Sequence, residues 1–175
     1  FDLNGFVFHF HYAVDLFFII SGYVMAYSSY YAPKSFSFFE FFVKRIARLY
    51  PLHLLTLAMM LVYCWISQKQ IPSILVIQNL FLIQNLGLGQ SNDLLNFPSW
   101  SICIELWLTT FFLVLTKSIQ SKFKITLVLT LVFLIPLILA PGLVLNGNYE
   151  DTVYSLNTGL LRGLSGISLG ILLYL

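Results

Sequence analysis

Four ionisable side chains lie inside long apolar stretches of the sequence: Asp15, His53, Glu105 and Arg162. An ionisable side chain in hydrocarbon costs about 2.5–3.5 kcal/mol on insertion scales, so each requires a structural or chemical reason. A carboxylate in such a setting pairs with a cation, binds one, or holds a proton. All three arrangements favour the interior of a helical bundle.

Glu105 is the most informative of these residues. It lies about a turn and a half into an apolar run that begins near Trp100, and Ser101 comes four residues earlier on the same helical face. We expect Arg162 to be its counter-ion. The pair is compatible with a structural role as well as with a catalytic one.

Asp15 opens the first apolar segment, where a carboxylate also suits the positive end of a helix dipole, an effect of about 0.3–1 kcal/mol. Gly22 follows on the same helical face, next to Ser21. Small residues allow another helix or a ligand to approach the backbone closely. Asp15, Ser21 and Gly22 are therefore expected to shape a cavity, with the helix-dipole role left open for Asp15.

Arg45 and Arg48 are three residues apart, on one face of a short predicted helix that leads to Pro51. Positive charge at this point would hold the segment on the cytoplasmic side of a membrane. Two neighbouring guanidinium groups also suit a clamp for a phosphate-bearing ligand. Both interpretations remain open at the level of the sequence.

The histidines and cysteines indicate less chemistry. His53, just inside the second apolar span, fits a hydrogen-bonded interfacial histidine better than a catalyst. His9 and His11 have the spacing of two metal ligands, but no third ligand is evident and no metal site is predicted. Cys64 and Cys103 each lie in an apolar run and are expected to be buried thiols.

The composition indicates a membrane protein. Hydrophobic residues make up 59% of the 175 residues and charged residues 9%, whereas a soluble domain has about 45–50% and about 25%. A net charge of +2 without basic blocks argues against a nucleic-acid partner. We therefore predict an all-α, polytopic transmembrane helical bundle with lipid as its solvent.

Five segments are apolar and long enough to span a bilayer: 12–31, 49–66, 100–116, 125–145 and 154–175. A sixth run, 73–88, is shorter and carries four amides: Gln78, Asn79, Gln84 and Asn85. These amides predict a bundle-interior helix or a re-entrant segment. The chain is expected to be one part of a single membrane domain, an internal fragment of a longer protein.

Basic residues predict the orientation. Loop 44–48 separates the first two spans, and loop 117–124 separates the third and fourth. The positive-inside rule places both loops in the cytoplasm. Both can lie there only if 73–88 does not cross, so we favour the re-entrant interpretation.

Four stretches resemble, in order, the motifs of the membrane acyltransferase-3 family. VDLFFIISGY at 14–23 resembles the family's VDLFFVLSGF signature, and KRIARLYP at 44–51 resembles its RRxxRIYP loop. PSWSICIE at 98–105 is similar to its WSLSxE element, and RGLSGISLG at 162–170 to its R…FxxG helix. Nearly the whole chain is covered by this ordered set.

The resemblance implies a polytopic enzyme of the bacterial inner membrane, with loop 44–48 cytoplasmic. It would transfer an acyl group from acyl-CoA, with acetyl-CoA the expected donor, to a carbohydrate or glycolipid hydroxyl, without a permanently bound cofactor. Arg45 and Arg48 would engage the CoA phosphates, and Glu105 and Arg162 would be the catalytic pair. The expected cavity-shaping residues are Asp15, Ser21, Gly22, Trp100 and Ser101.

One element of the family is not matched. Its catalytic histidine, preceded by an arginine, lies in a helix before the first motif, and neither His9 nor His11 falls at that position. Residues 1–175 are therefore expected to be inactive on their own. The alternatives are a helical transporter or exporter with a buried Glu–Arg pair, and a non-catalytic scaffold, for which Glu105→Gln would leave function intact.

Overall fold

The computed structural model describes residues 10–31, 37–86, 95–96, 99–119, 121–139, 152–153 and 156–175. These residues form the helices α1 (Phe10–Tyr31), α2 (Phe38–Ile66), α3 (Ser73–Leu80), α4 (Ser99–Ser118), α5 (Lys122–Leu139) and α6 (Thr158–Tyr174). Two short strands, β1 (Thr152–Val153) and β2 (Leu156–Asn157), pair antiparallel before α6. The predicted all-α bundle is confirmed.

Among the described residues, three helices are long and apolar enough to cross a membrane: Tyr12–Tyr30, Phe38–Ile66 and Ser99–Ser118. Gly159–Tyr174 is a shorter apolar helix, and α5 has 18 residues. Only 17% of the apolar window of α2 is buried within the protein. Its outward side chains include Trp65 and Ile66, which are 81% and 69% exposed. An apolar surface of this kind favours contact with the hydrocarbon of a bilayer over contact with water.

Helices α2 and α4 run antiparallel. The ring of Phe42 contacts that of Trp107 at 6.0 Å, while Thr56, farther along α2, accepts a hydrogen bond from Asn96, just before α4. The end of α2 and the start of α4 therefore lie at the same end of the bundle. Helix α3, eight residues long, measures about 12 Å and cannot cross about 30 Å of hydrocarbon.

Helices α1 and α6 run parallel. Near their N-terminal ends Asp15 contacts Arg162, and near their C-terminal ends Tyr174 contacts Tyr23 and Tyr27 through ring edges. Helix α1 also runs parallel to α4, since Phe18 contacts Trp100 and Ser21 contacts Glu105. The start of α2 and the end of α4 thus share one end of the bundle. We call it the basic end, because the half of α2 that begins there carries Lys44, Arg45 and Arg48, and α4 ends there with Lys117.

Glycines bring α1 and α6 into backbone contact. A Cβ atom on Gly22 would overlap the carbonyl group of Ile167, and one on Gly170 would overlap the carbonyl oxygen of Ile19. Only residues without a side chain allow this approach. The contact fixes the position of α6 against α1, and with it the position of Arg162.

The second span differs from its predicted bounds. The predicted span was 49–66, with Pro51 near its start and the basic loop before it. Instead, α2 starts at Phe38 and contains Pro51. The N–H of Phe39 donates to the Ser37 hydroxyl at 3.2 Å, which caps the actual start. In an apolar solvent a continuous helix keeps more backbone groups paired than a loop would. Arg45 and Arg48, predicted on a short separate helix, therefore belong to the same continuous helix as the span.

In the described residues, the last two helices differ from their predicted bounds. Helix α5 covers 122–139, whereas the predicted span was 125–145. Helix α6 starts at Thr158, whereas the predicted span started at 154. Pro136 lies inside α5. Residues 140–151 are outside the described part of the chain.

Candidate functional site

Glu105 accepts two hydrogen bonds on one carboxylate oxygen. Arg45 Nη1 and Ser21 Oγ each lie 2.9 Å from its Oε1. The Arg45 and Glu105 side chains are 14% and 6% exposed. The second oxygen, Oε2, is buried and has no hydrogen-bond partner among the described residues. One oxygen of Glu105 thus anchors three helices, while the other keeps its capacity to accept a hydrogen bond.

A cavity of about 310 Å³ opens beside this ion pair at the basic end. Lys44, Arg45 and Arg48 of α2 line one side of it, and Glu105 of α4 contributes to its wall. The rest of the lining comes from Val24, Met25, Ser28, Phe41 and Leu49. The cavity combines an apolar surface with three cations, a chemistry that suits an anionic ligand with an apolar portion.

The three cations are held differently. Arg45 is fixed by Glu105, and its guanidinium lies 4.9 Å from the centre of the Phe41 ring. Lys44 forms an exposed pair with Glu40 at 2.6 Å. Arg48 is exposed and makes no ion pair with any residue in the described ranges. Arg48 is therefore the most available cation for a phosphate.

The expected Glu105–Arg162 pair is wrong. Arg162 donates from Nε to Asp15 Oδ1 at 3.0 Å and from Nη2 to Asp15 Oδ2 at 2.9 Å. Its guanidinium also lies 5.8 Å from the Trp100 ring centre. The reason is helix order: α6 packs against α1 along the glycine contact, so Arg162 meets Asp15, while α2 carries Arg45 to Glu105. A bidentate pair of this kind fixes both side chains.

Asp15 and Arg162 line a separate cavity of about 190 Å³. Its wall is otherwise largely apolar, with Tyr12, Ile19, Phe133 and Leu169 among its residues. Asp15 and Arg162 are absent from the lining of the cavity at Glu105. The structure therefore divides the predicted catalytic pair between two places.

The residues that were predicted to shape one cavity also lie in different places. Ser21 reaches Glu105 directly, whereas Gly22 faces the backbone of α6. Trp100 is buried between Phe18 and Arg162. Ser101 is half-buried, one turn before Glu105.

His53 was predicted to be a hydrogen-bonded histidine at the membrane interface, but the structure buries it in the protein interior. It is 1% exposed, its Nε2 lies 2.8 Å from the carbonyl oxygen of Asn79, and its Nδ1 has no partner among the described residues. Cys64 and Cys103 are buried, as expected. The spacing of His9 and His11 cannot be compared with the structure. His9 is not among the described residues, and the side chain of His11 is not described either.

Several site residues were not singled out from the sequence. Lys44 and Ser28 line the cavity, but one is an exposed lysine and the other a serine near a helix end, so neither breaks an apolar pattern. Ser21 was expected to shape a cavity, and its hydrogen bond to Glu105 was not predicted. Its spacing from Asp15 gave no indication of that partner, which sits on α4.

Comparison with protein families gives a match over the whole chain. The model of the membrane acyltransferase-3 family, described as an acyltransferase domain, matches residues 1–175, the whole chain. The chain belongs to this acyltransferase family. No curated protein and no solved structure matches it.

The acyltransferase domain draws its two interhelical ion pairs from the motif stretches. Asp15 lies in 14–23, Arg45 in 44–51, Glu105 in 98–105 and Arg162 in 162–170. The four stretches are distant in sequence, and each supplies one charge to a bundle that pairs them. Among the described residues of this acyltransferase domain, no three His, Cys, Asp or Glu side chains are grouped for a metal ion.

Proposed function

We propose that the protein is an integral membrane O-acyltransferase that moves an acyl group, acetyl being the simplest, from acyl-CoA to a carbohydrate hydroxyl. The observation that carries the proposal is the cavity at the basic end, where Lys44, Arg45 and Arg48 face Glu105. Membership of the acyltransferase family supports the reaction class. The choice of donor rests on the charge of the cavity, and the choice of acceptor on the family resemblance.

The cations suit coenzyme A, which carries phosphate groups at one end and an acyl thioester at the other. The cavity of about 310 Å³ is near the lower limit of small-molecule sites, about 300–1,000 Å³. It therefore accommodates the thioester arm, with the phosphates at its basic mouth. Arg48 and Lys44 bind the phosphates, and Arg45, held by Glu105, extends the positive surface inward.

In the reaction, the acceptor oxygen attacks the thioester carbonyl carbon and the carbon–sulfur bond breaks. The hydroxyl proton leaves, and the coenzyme A thiolate takes up a proton. The developing carbonyl oxyanion needs a fixed positive group nearby. Arg45 supplies one on this proposal, and Glu105 holds it in place while Oε2 accepts a hydrogen bond from substrate. Arg162 is assigned to holding Asp15 rather than to chemistry.

The test uses the full-length protein in membrane vesicles with radiolabelled acetyl-CoA. Coenzyme A release and label on hydroxylic products are measured for wild type, Arg48→Gln and the control Lys69→Gln. Lys69 lies beyond the other end of α2 and carries the same charge. We expect Arg48→Gln to raise the KM for acetyl-CoA about tenfold, a loss of about 1.4 kcal/mol, while Lys69→Gln leaves it unchanged.

An unchanged KM in Arg48→Gln, at equal protein level, would contradict the assignment of the donor site. Ion-dependent uptake of a solute without release of coenzyme A would instead support a transporter, which also buries ion pairs. Vesicles therefore distinguish the two functions in one preparation.

A further inference from the structure

The walls of the cavity at the basic end differ in charge. Its charged lining residues all belong to α2 and α4: Lys44, Arg45, Arg48 and Glu105. Helix α1 contributes Val24, Met25 and Ser28, none of which is charged. We call this α1 side of the cavity the neutral wall. Because it carries no cation, it contacts a part of the ligand other than the phosphates.

The neutral wall lies beside the Arg45–Glu105 ion pair. Ser21 donates to Glu105 Oε1 at 2.9 Å, and Arg45 Nη1 lies 2.9 Å from the same oxygen. Val24 and Met25 follow Ser21 by three and four residues on α1, and residues at these spacings are neighbours on one helical face. The neutral wall is therefore about one helical turn from the level of Arg45, the residue that the proposed mechanism places at the thioester carbonyl.

Burial distinguishes the floor of the cavity from its rim. Met25 and Phe41 are 0% and 7% exposed and belong to the main apolar core, so they form the floor, on the side of the bundle interior. The Phe41 ring is also the one that lies against the Arg45 guanidinium. Val24 is 44% exposed and lies at the rim. An acyl chain that extends from a carbonyl at Arg45 therefore rests on an apolar floor, and a long chain has to pass Val24.

The size of the cavity limits the length of this chain. Its volume of about 310 Å³ is near the lower limit of small-molecule sites, and the proposed function requires it to hold the thioester arm as well. Little space remains for the acyl group. A single methylene that an apolar pocket does not accommodate changes kcat/KM by about 10–200-fold. One side chain at the rim is therefore enough to select donors by length.

We propose that Val24 is a specificity-determining residue for the acyl group and limits the donor to short-chain acyl-CoA thioesters; this rests on the proposed acyltransferase function. Of the two apolar residues in the neutral wall, Met25 is buried in the core and Val24 is exposed at the cavity. A substitution at Val24 therefore changes the space for the acyl group with little effect on the packed interior. It also leaves every charged residue of the site in place.

The test compares acetyl-CoA, butyryl-CoA and octanoyl-CoA as donors for the full-length protein in membrane vesicles, with kcat/KM as the readout. Val24→Phe narrows the rim and Val24→Ala widens it. Val43→Phe is the matched control, since Val43 is also 44% exposed but is not part of the cavity lining. Binding of the three donors in the absence of acceptor is measured for the same variants in nanodiscs, by competition with a fluorescent CoA analogue.

In Val24→Phe the ratio of kcat/KM for acetyl-CoA to that for butyryl-CoA should rise about tenfold or more. In Val24→Ala the preference for acetyl-CoA over octanoyl-CoA should fall by a similar factor, and Val43→Phe should keep both wild-type ratios. Unchanged ratios in Val24→Phe overturn the assignment, and so does an equal loss with every donor, which would mean that the substitution obstructs the whole cavity. If Val24→Phe does not accumulate in membranes, Val24→Ala carries the comparison.

The binding measurement separates this proposal from the proposed function. If wild type binds acyl-CoA with a length preference that Val24→Phe alters, but releases no coenzyme A, the specificity residue is supported and the transfer reaction is rejected. If wild type transfers the acyl group and both Val24 variants keep its length preference, the transfer reaction stands and the specificity residue is rejected. The absence of acyl-CoA binding to wild type overturns both.

Discussion

Arg45 Nη1 lies 2.9 Å from Glu105 Oε1, across the interface of α2 and α4. The two arginines that share one face of α2 therefore differ in role. Arg45 is held by a carboxylate and an aromatic ring, whereas Arg48 is exposed at the cavity. A spacing of three residues predicted two equivalent phosphate ligands, and the structure provides one anchored cation and one available cation.

Glu105→Gln should destabilise the protein, because it leaves the guanidinium of Arg45 buried without its counter-ion. Removing one partner of a buried ion pair costs about 3–5 kcal/mol. Adding Arg45→Met removes the stranded charge, so the double variant should be more stable than Glu105→Gln alone. Thermal unfolding in detergent, followed by size-exclusion chromatography, measures both effects.

The control for this experiment is Glu40→Gln, which breaks the exposed Lys44–Glu40 pair. Exposed pairs contribute about 0–1 kcal/mol, so its unfolding temperature should stay close to wild type. If Glu105→Gln is no more destabilising than Glu40→Gln, the Arg45–Glu105 pair does not stabilise the bundle.

Exchanging the charges of the Asp15–Arg162 pair should recover part of what each single change loses. Asp15→Arg and Arg162→Asp separately place two like charges near each other at the contact between α1 and α6, and the protein should fail to accumulate in membranes. The double exchange restores opposite charges, although not the bidentate geometry. Quantitative immunoblotting of membrane fractions measures the recovery; a double variant no more abundant than the singles would argue against the contact.

Gly22→Ala should weaken the α1–α6 contact. Its Cβ would overlap the backbone carbonyl group of Ile167, which cannot move without shifting the helix. Gly163→Ala is the matched comparison, since its Cβ meets the side chains of Ile104 and Leu108, which have some freedom to rearrange. We expect Gly22→Ala to lower the unfolding temperature more than Gly163→Ala. The reverse order would show that α1 and α6 are less closely packed than the structure indicates.

Cysteine labelling can test the proposed orientation. Ser37, before α2, and Ser121, between α4 and α5, should face the cytoplasm, while Gln68, after α2, should face the opposite side. An impermeant maleimide applied to intact cells should label Gln68→Cys, but label Ser37→Cys and Ser121→Cys only after permeabilisation. Wild type, whose Cys64 and Cys103 are buried, gives the background. Labelling of Ser121→Cys in intact cells would mean that the segment before α4 crosses the membrane.

Apolar length and composition were enough to predict the helical bundle, because insertion into hydrocarbon depends on each segment by itself. The insertion cost also identified Asp15, Glu105 and Arg162 as charges in need of partners. It could not say which partner each would take. Arg45 and Glu105 are 60 residues apart, and their contact depends on which helices pack side by side. The unpaired nitrogen of His53 was equally hidden, because it follows from a contact with the backbone of α3.

The pairing of Asp15 with Arg162 joins the first described helix to the last, across 147 residues. At a synthesis rate of about 5–20 residues per second, about 7–30 s pass between the emergence of the acid and that of the base. Throughout this interval the nascent first helix carries a carboxylate without its final partner. The ion pair that joins the two helices can therefore form only after the ribosome has delivered α6, so the first helix reaches its final packing late in synthesis.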